Sequence, residues 1–487
     1  MRSSGILLHI SSLPSPYGIG TMGKAAYEFA DFLHSARQRY WQLLPIGPTS
    51  YGDSPYQSFS TFAGNPYFID LDLLLADELL TADELLDIDW GDSSRVDYEL
   101  QYAKRLPLLR SAFARGWTRD PIQIAQFRDE NPWLEDYALF MAIKHSRNMQ
   151  PWYLWPQSLR TRRRAALEKC RAALSEDVNF FVYLQFLFYR QWSILRGYVN
   201  GLGICLIGDL PIYVPYDSCD VWANPKLFQL DKDGKPTGVA GCPPDYFSAD
   251  GQLWGNPLYN WKAMKKDDYA WWKLRIKAAA RLFDVTRIDH FRGLESYYAV
   301  PFGAETAREG HWEKGPGEDF IRALHSAFPN LQLIAEDLGF LTDEVRKLLA
   351  FSGFPGMKVL EFAFDSREPS NYLPHRYERN CICYTGTHDN APLAAWWESV
   401  PPSTRDYAAE YLAIGENPCR AFLRAGMASV ADTFVAQMQD YLELGEESRM
   451  NTPGTLGSQN WTWRLAPGSL KPELTAWIRQ MTYLYER

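Results

Sequence analysis

The feature that most constrains this chain is a series of short apolar runs, each bounded by Gly, Pro or Asp, with helix-like segments between them. The runs are Gly5–Ile10, Tyr40–Ile46, Ile204–Leu210, Phe283–Ile288, Leu331–Ala335, Met357–Phe364 and Cys381–Thr385. Strands that alternate with helices form parallel sheets, because a parallel strand is reached only by a crossover. An eighth run falls near Val430–Phe434 or later. Seven or eight such units predict an α/β fold, a (β/α)8 barrel. An open doubly wound sheet would carry a Gly-rich phosphate turn after an early strand, and neither GxGxxG nor GxxxxGK[ST] occurs.

The spacing of the runs is uneven. Between the second and third, leucines recur at helical period (Leu79-Leu80, Leu85-Leu86, Leu100, Leu106, Leu108-Leu109). Residues 66–200 are therefore expected to form a mainly helical insertion. Residues 211–267, dense in Pro, Gly, Tyr and Trp, are expected to be a loop-rich insertion after the third strand. The remainder is expected to make one catalytic barrel over residues 1–487, with no separate C-terminal β-domain.

Charge and cysteine content narrow the function classes. Lys plus Arg is 50 against 59 Asp plus Glu, a net charge of −9, which argues against a partner of polyanionic nucleic acid. The first ten residues hold one basic residue and a short apolar run followed by Ser11-Ser12, too little for a secretory leader. No stretch is apolar for long enough to span a bilayer, so no membrane partner is expected. Seven scattered cysteines (Cys170, Cys205, Cys219, Cys242, Cys381, Cys383, Cys419) lack zinc-type pairing and are odd in number. Reduced thiols and a cytoplasmic location fit best, and neither a cofactor nor a metal is expected.

Acidic residues fall at the ends of four runs: Asp209 after Ile204–Gly208, Asp289 after Asp284–Ile288, Glu336 after Leu331–Ala335 and Asp389 after Cys381–His388. In a barrel, strand C-terminal ends and the loops after them form the catalytic face. Arg287 and Asp289 lie two apart, hence on one face of a strand. Paired carboxyls at such ends suit glycosidic-bond chemistry, in which one attacks the anomeric carbon and another protonates the leaving oxygen. Arg287 is expected to keep Asp289 ionised, and Glu336 to need a raised pKa. Aromatics are 15 % of the chain, with 18 Trp, which would suit sugar stacking if they line the site. His9, in the first strand, is read as structural, and Cys205, Cys381 and Cys383 as core.

Three motifs, Arg287-Ile288-Asp289-His290, Glu336-Asp337-Leu338-Gly339 and Thr387-His388-Asp389-Asn390, resemble those after strands four, five and seven of the α-amylase clan. Longer stretches are similar to the amylomaltase (4-α-glucanotransferase, disproportionating enzyme) family: SSLPSPYGIG, GDSPYQSFSTFAGN, GDLPIY, VAGCPPDYFSADGQLWGNPLY, NTPGT and NWTWR. The resemblance spans nearly the whole chain. It implies Asp289 as nucleophile, Glu336 as general acid/base and Asp389 as a third acid gripping sugar hydroxyls. It further implies substrate contacts at Tyr56 with Ser54, at Asp209, Arg287, His290 and His388, at Trp254 over the acceptor, at Asn460 and Trp461 in a late loop, and at Asp365. Leu210-Pro211-Ile212-Tyr213 follows Asp209 where many α-amylases have Asn-His, which supports the narrower family and speaks against an amylase-type calcium site. The resemblance implies retaining transfer of α-1,4-glucan segments among maltooligosaccharides and amylose or starch-type glucans, with glucose as an acceptor and cyclic glucans from intramolecular attack. Two rivals stand beside this reading, a hydrolase of α-amylase type and a non-catalytic glucan-binding barrel.

Overall fold

A computed structural model describes residues 2–50, 52–244, 249–339, 341–364, 370–457 and 459–487. Eight parallel strands make the central sheet: β1 (Ser3–Leu7), β2 (Tyr40–Gln42), β3 (Cys205–Leu210), β6 (Val285–Ile288), β9 (Gln332–Ala335), β10 (Gly356–Val359), β11 (Cys381–Tyr384) and β12 (Thr433–Gln437). Their order is β10-β11-β12-β1-β2-β3-β6-β9. The Ala335 amide at the end of β9 donates to the Pro355 carbonyl just before β10 (3.0 Å). This brings the two edges of the sheet together, so the predicted barrel is the fold.

Burial on both faces explains why these strands appear as continuous apolar runs. Ile6, Trp41, Leu206, Ile207, Ile288, Ile334, Met357, Val359, Cys383 and Phe434 are all buried. Several strands are shorter than their runs. The run from Met357 yields only Gly356–Val359 and then turns through Leu360–Phe362. The eighth strand, Thr433–Gln437, pairs with β1 from Ser3↔Thr433 onward; its apolar centre is only Phe434-Val435-Ala436, flanked by polar residues.

Between β2 and β3 the chain is mainly helical and ends in a 27-residue helix, Ser175–Gly201. This helix fixes the loop after β2 that leads to the site. Gln185 bonds both the amide and the carbonyl of Gly64 (2.7 and 2.9 Å), and Gln191 does the same at Asp70 (2.7 and 3.2 Å). Phe188 packs so closely on Gly64 that a Cβ there would lie 2.1 Å from its ring. Glycine is needed for that approach.

The stretch read as loops after β3 contains two strands, β4 (Gly238–Cys242) and β5 (Gln252–Pro257). They join β7 (Ser296–Pro301) and β8 (His311–Lys314) in an antiparallel sheet of order β5-β4-β7-β8. β4 and β5 pair with each other, and only β4 continues the sheet to β7, beyond the insertion itself; loop-like composition hid both strands. This small sheet ties the segment after β3 to the segment after β6 and carries Trp254 toward the barrel mouth. After β12 the described residues form helices and loops, ending with helix Pro472–Leu484. Among the described residues no helix is long and apolar enough to cross a membrane.

Candidate active site

Strand register builds the floor of the site. Asp209 on β3 lies directly opposite Arg287 on β6, and Arg287 opposite Ile334 on β9. One residue past the strands, the Asp289 amide donates to Leu210 O (3.1 Å), the Glu336 amide to Ile288 O (3.0 Å) and the Phe291 amide to Glu336 O (2.9 Å). The backbones beneath both acids are therefore fixed across three strands. Between them His290 adopts a left-handed conformation (φ +48°), which histidine tolerates better than most residues.

Arg287 is the electrostatic hub. Its Nη1 donates to both oxygens of Asp209 (2.8 and 2.7 Å) and to Asp289 Oδ1 (3.0 Å). The Arg287 and Asp209 side chains are 5 % and 1 % exposed, whereas Asp289 keeps 28 % exposure. Asp289 is therefore the carboxylate of this trio that a substrate can reach. One cation serves two anions. Burial accordingly raises the Asp289 carboxyl above the ordinary range, against the pull of Arg287 and with the charges of Asp209 and Glu336 adding to it. Arg287 pulls the Asp289 carboxyl down as expected, but burial outweighs that pull and the net shift is upward.

Glu336 is raised too. Burial is the main cause, opposed by Arg287 and by amide bonds from Leu338 (2.8 Å) and His290 (2.7 Å). Both acids feel the same Arg287 cation, which lowers each of them against burial. The His290 imidazole is pushed down to about 3 by burial and by Arg292, so it is neutral.

The opposite wall comes from β2 and β11. Tyr56 Oη donates to Asp209 Oδ2 (2.8 Å), and its ring stacks on His388 (5.0 Å, 16°). His388 Nε2 lies 3.4 Å from Asp389 Oδ1. Asn451 Nδ2 donates to that same oxygen (2.7 Å), and Arg449 binds the Asp389 carbonyl (3.0 Å). Trp461 packs 5.8 Å from both Tyr56 and His388. Its left-handed backbone (φ +65°), costly for a bulky residue, is held by Tyr98 Oη on its carbonyl (2.9 Å) and by its amide on Met450 O (2.7 Å). From the antiparallel sheet, Trp254 meets His290 edge-on (4.8 Å, 90°).

The other sequence candidates sort differently. Ser54 caps the turn that presents Tyr56, accepting from its amide at 3.3 Å. Asn460 spends its amide within the late loop, on Thr452 N (3.0 Å) and on Thr455 (3.1 and 3.0 Å); both residues also line the cleft. Asp365 lies outside the described residues. His9 is buried and accepts from the Leu44 amide (3.3 Å).

Sequence reasoning missed Asn451 and Arg449 as partners of Asp389, although Asn451 opens the NTPGT motif. It also missed Glu361 and Asp440, two buried acids behind the Thr385–Leu393 turn. Glu361 sits within the run Lys358–Phe364, and a carboxylate inside an apolar run was the available signal.

The cleft above these residues has a volume of about 3650 Å³, well beyond the ~300–1,000 Å³ of a small-molecule pocket. A barrel with two acids raised by burial at adjacent strand ends, beneath a large cleft with aromatic residues in its lining, is the architecture of an enzyme of glycosidic-bond chemistry. Residues 8–471 match the 4-alpha-glucanotransferase family. The chain is 48 % identical to a 4-alpha-glucanotransferase of Streptococcus pneumoniae (100 % of this chain, 97 % of that one). It is 46 % identical to one of Clostridium butyricum (99 % and 100 %). The solved amylomaltase from Streptococcus agalactiae in complex with acarbose superposes with a TM-score of 0.98, at 41 % identity over 100 % of both chains. The chain belongs to the 4-alpha-glucanotransferase family, and its activity is that of this glycosyl-transferring type.

Proposed function

We propose that the chain moves α-1,4-glucan segments by a retaining double displacement in which Asp289 is the nucleophile and Glu336 the acid/base. A carboxylate oxygen of Asp289 bonds to C1 of the donor as the C1–O bond to the leaving sugar breaks. Glu336 gives its proton to that oxygen. Glu336, now ionised, takes the proton of an acceptor 4-hydroxyl. That oxygen attacks C1 and releases Asp289. The observation that carries this reading is the pairing of Asp289 and Glu336 on adjacent strands, both raised by burial and joined electrostatically through Arg287.

Asp389, oriented by Asn451, is placed to hold sugar hydroxyls, with His388 beside it. Tyr56 offers a ring face at the floor, and Trp254 and Trp461 supply aromatic walls. Such walls favour a sugar over water at the glycosyl ester. Donors and acceptors are maltooligosaccharides and amylose, with glucose as an acceptor, and intramolecular attack gives cyclic glucans. Residues 1–487 act as one catalytic unit, in the cytoplasm. The free thiols at Cys170, Cys205, Cys219, Cys381, Cys383 and Cys419 suit a reducing compartment.

A maltotriose time course tests the reaction class. Transfer yields glucose and longer oligomers with no net gain of reducing ends. A steady rise in reducing ends would instead identify a hydrolase.

A further inference from the structure

The acids and their walls do not use one aromatic cluster that borders the same cleft. The rings of Tyr153 and Tyr216 are parallel, 4.5 Å apart at 0°, and both line the cleft. The pair is held rigidly from behind. Tyr216 Oη donates to Gly234 O (2.7 Å), and Trp152 Nε1 donates to Tyr216 O (2.6 Å) with its ring edge-on to Tyr216 (5.3 Å, 75°). Phe302, 47 % exposed, extends the cluster and meets Tyr216 edge-on (6.2 Å, 76°).

These anchors hold Tyr216 and leave Tyr153 half-buried, with its hydroxyl unbonded among the described residues. Burying large rings at low conformational cost and leaving a hydroxyl free is how aromatics bind ligands that are part apolar and part wet. Apolar rings left open in a cleft mark a binding surface. Tyr216 follows Asp209 by only seven residues, a reach of at most about 25 Å along an extended chain. A polymer seated at Asp289 in the shared cleft can extend to it.

We propose that the Tyr153–Tyr216 pair is a remote stacking platform for α-glucan chains, engaged by long substrates and out of use for short ones. This rests on the glucan-transfer reading above. A sugar ring would lie with its C–H face on the open side of Tyr153, and the free hydroxyl would bond a sugar hydroxyl. The platform then adds affinity for amylose without touching the chemistry, so it lowers KM for long chains only.

The test compares Tyr153→Ala with the unaltered chain on two substrates, maltotriose and long-chain amylose. The expected result is an amylose KM raised about tenfold, with amylose kcat and both maltotriose constants unchanged. Tyr153→Trp, which keeps a stacking face, should restore the amylose KM. Tyr153→Gln, which keeps a polar side chain at this half-buried position, gives a second ring-free variant should the alanine variant fold poorly. An amylose KM that does not change, or a maltotriose KM that rises in parallel, would overturn the platform. Absence of maltotriose transfer in the unaltered chain would instead sink the glucan-transfer reading.

Discussion

Arg287 makes its closest charge contacts with Asp209, at 2.8 and 2.7 Å to the two carboxylate oxygens, both side chains buried. Asp289 receives one longer bond from the same nitrogen. The Asp209 charge thus raises the Asp289 carboxyl directly and also draws on the cation that would lower it.

Asp209→Asn should therefore lower the Asp289 pKa. The sign follows from charge: one anion fewer near Asp289, and more of Arg287 available to it. An ionised nucleophile then persists to lower pH, and the acid limb of the kcat/KM profile for maltotriose moves to lower pH. An unmoved or raised acid limb would contradict the coupling. Tyr56 loses its charged acceptor in the same variant, so the plateau rate should fall as well.

Asn451→Ala removes the 2.7 Å donor on Asp389 Oδ1 without touching the Asp289–Glu336 pair. A hydrogen bond to a charged group is worth about 1.5–3 kcal/mol, so kcat/KM should drop roughly ten- to a hundredfold. The pH limbs should stay in place, since neither titrating acid is altered. Steady-state kinetics on maltotriose across pH would check both parts.

Glu361→Gln should stabilise the protein at alkaline pH while retaining transfer activity. Burial holds the Glu361 carboxyl well above its ordinary value, with Asp440 adding to the effect and Asn390 and Arg449 opposing it. A carboxyl raised in the folded state binds its proton more tightly there than when unfolded. Stability is therefore lost as pH rises from the unfolded value toward the folded one. Asp440, raised to about 7 by burial, adds loss of the same sign. The glutamine resembles the protonated form and cannot ionise. Its Tm advantage should be small at about pH 5 and grow by about pH 8. Thermal unfolding at the two values measures this, and an equal advantage at both would exclude the ionisation account.

Much of the fold was legible because the barrel strands are buried on both faces, which leaves apolar runs that need no periodicity to be seen. β12 was the least visible, since three apolar residues between Thr433 and Gln437 scarcely stand out. The antiparallel sheet was invisible because two hairpin-like pairs, β4–β5 and β7–β8, are joined only through β4 and β7, on either side of another barrel strand. Composition records a loop, whereas pairing makes a strand. At the site, the acids could be located at run ends, and the His290–Glu336 and Asp389–Asn451 contacts could not. Which anion Arg287 binds most closely depends on Asp209 facing it across the β3–β6 register, and a linear sequence does not state inter-strand register.

In this mechanism Asp289 bonds covalently to the donor. Intact-protein mass spectrometry of Glu336→Gln, mixed with a maltooligosaccharyl fluoride that leaves without acid help, tests it most directly. A glycosyl adduct should accumulate and map by peptide sequencing to Asp289, and it should be absent when Asp289→Asn is added. An adduct on another residue, or transfer surviving in Asp289→Asn, would contradict it.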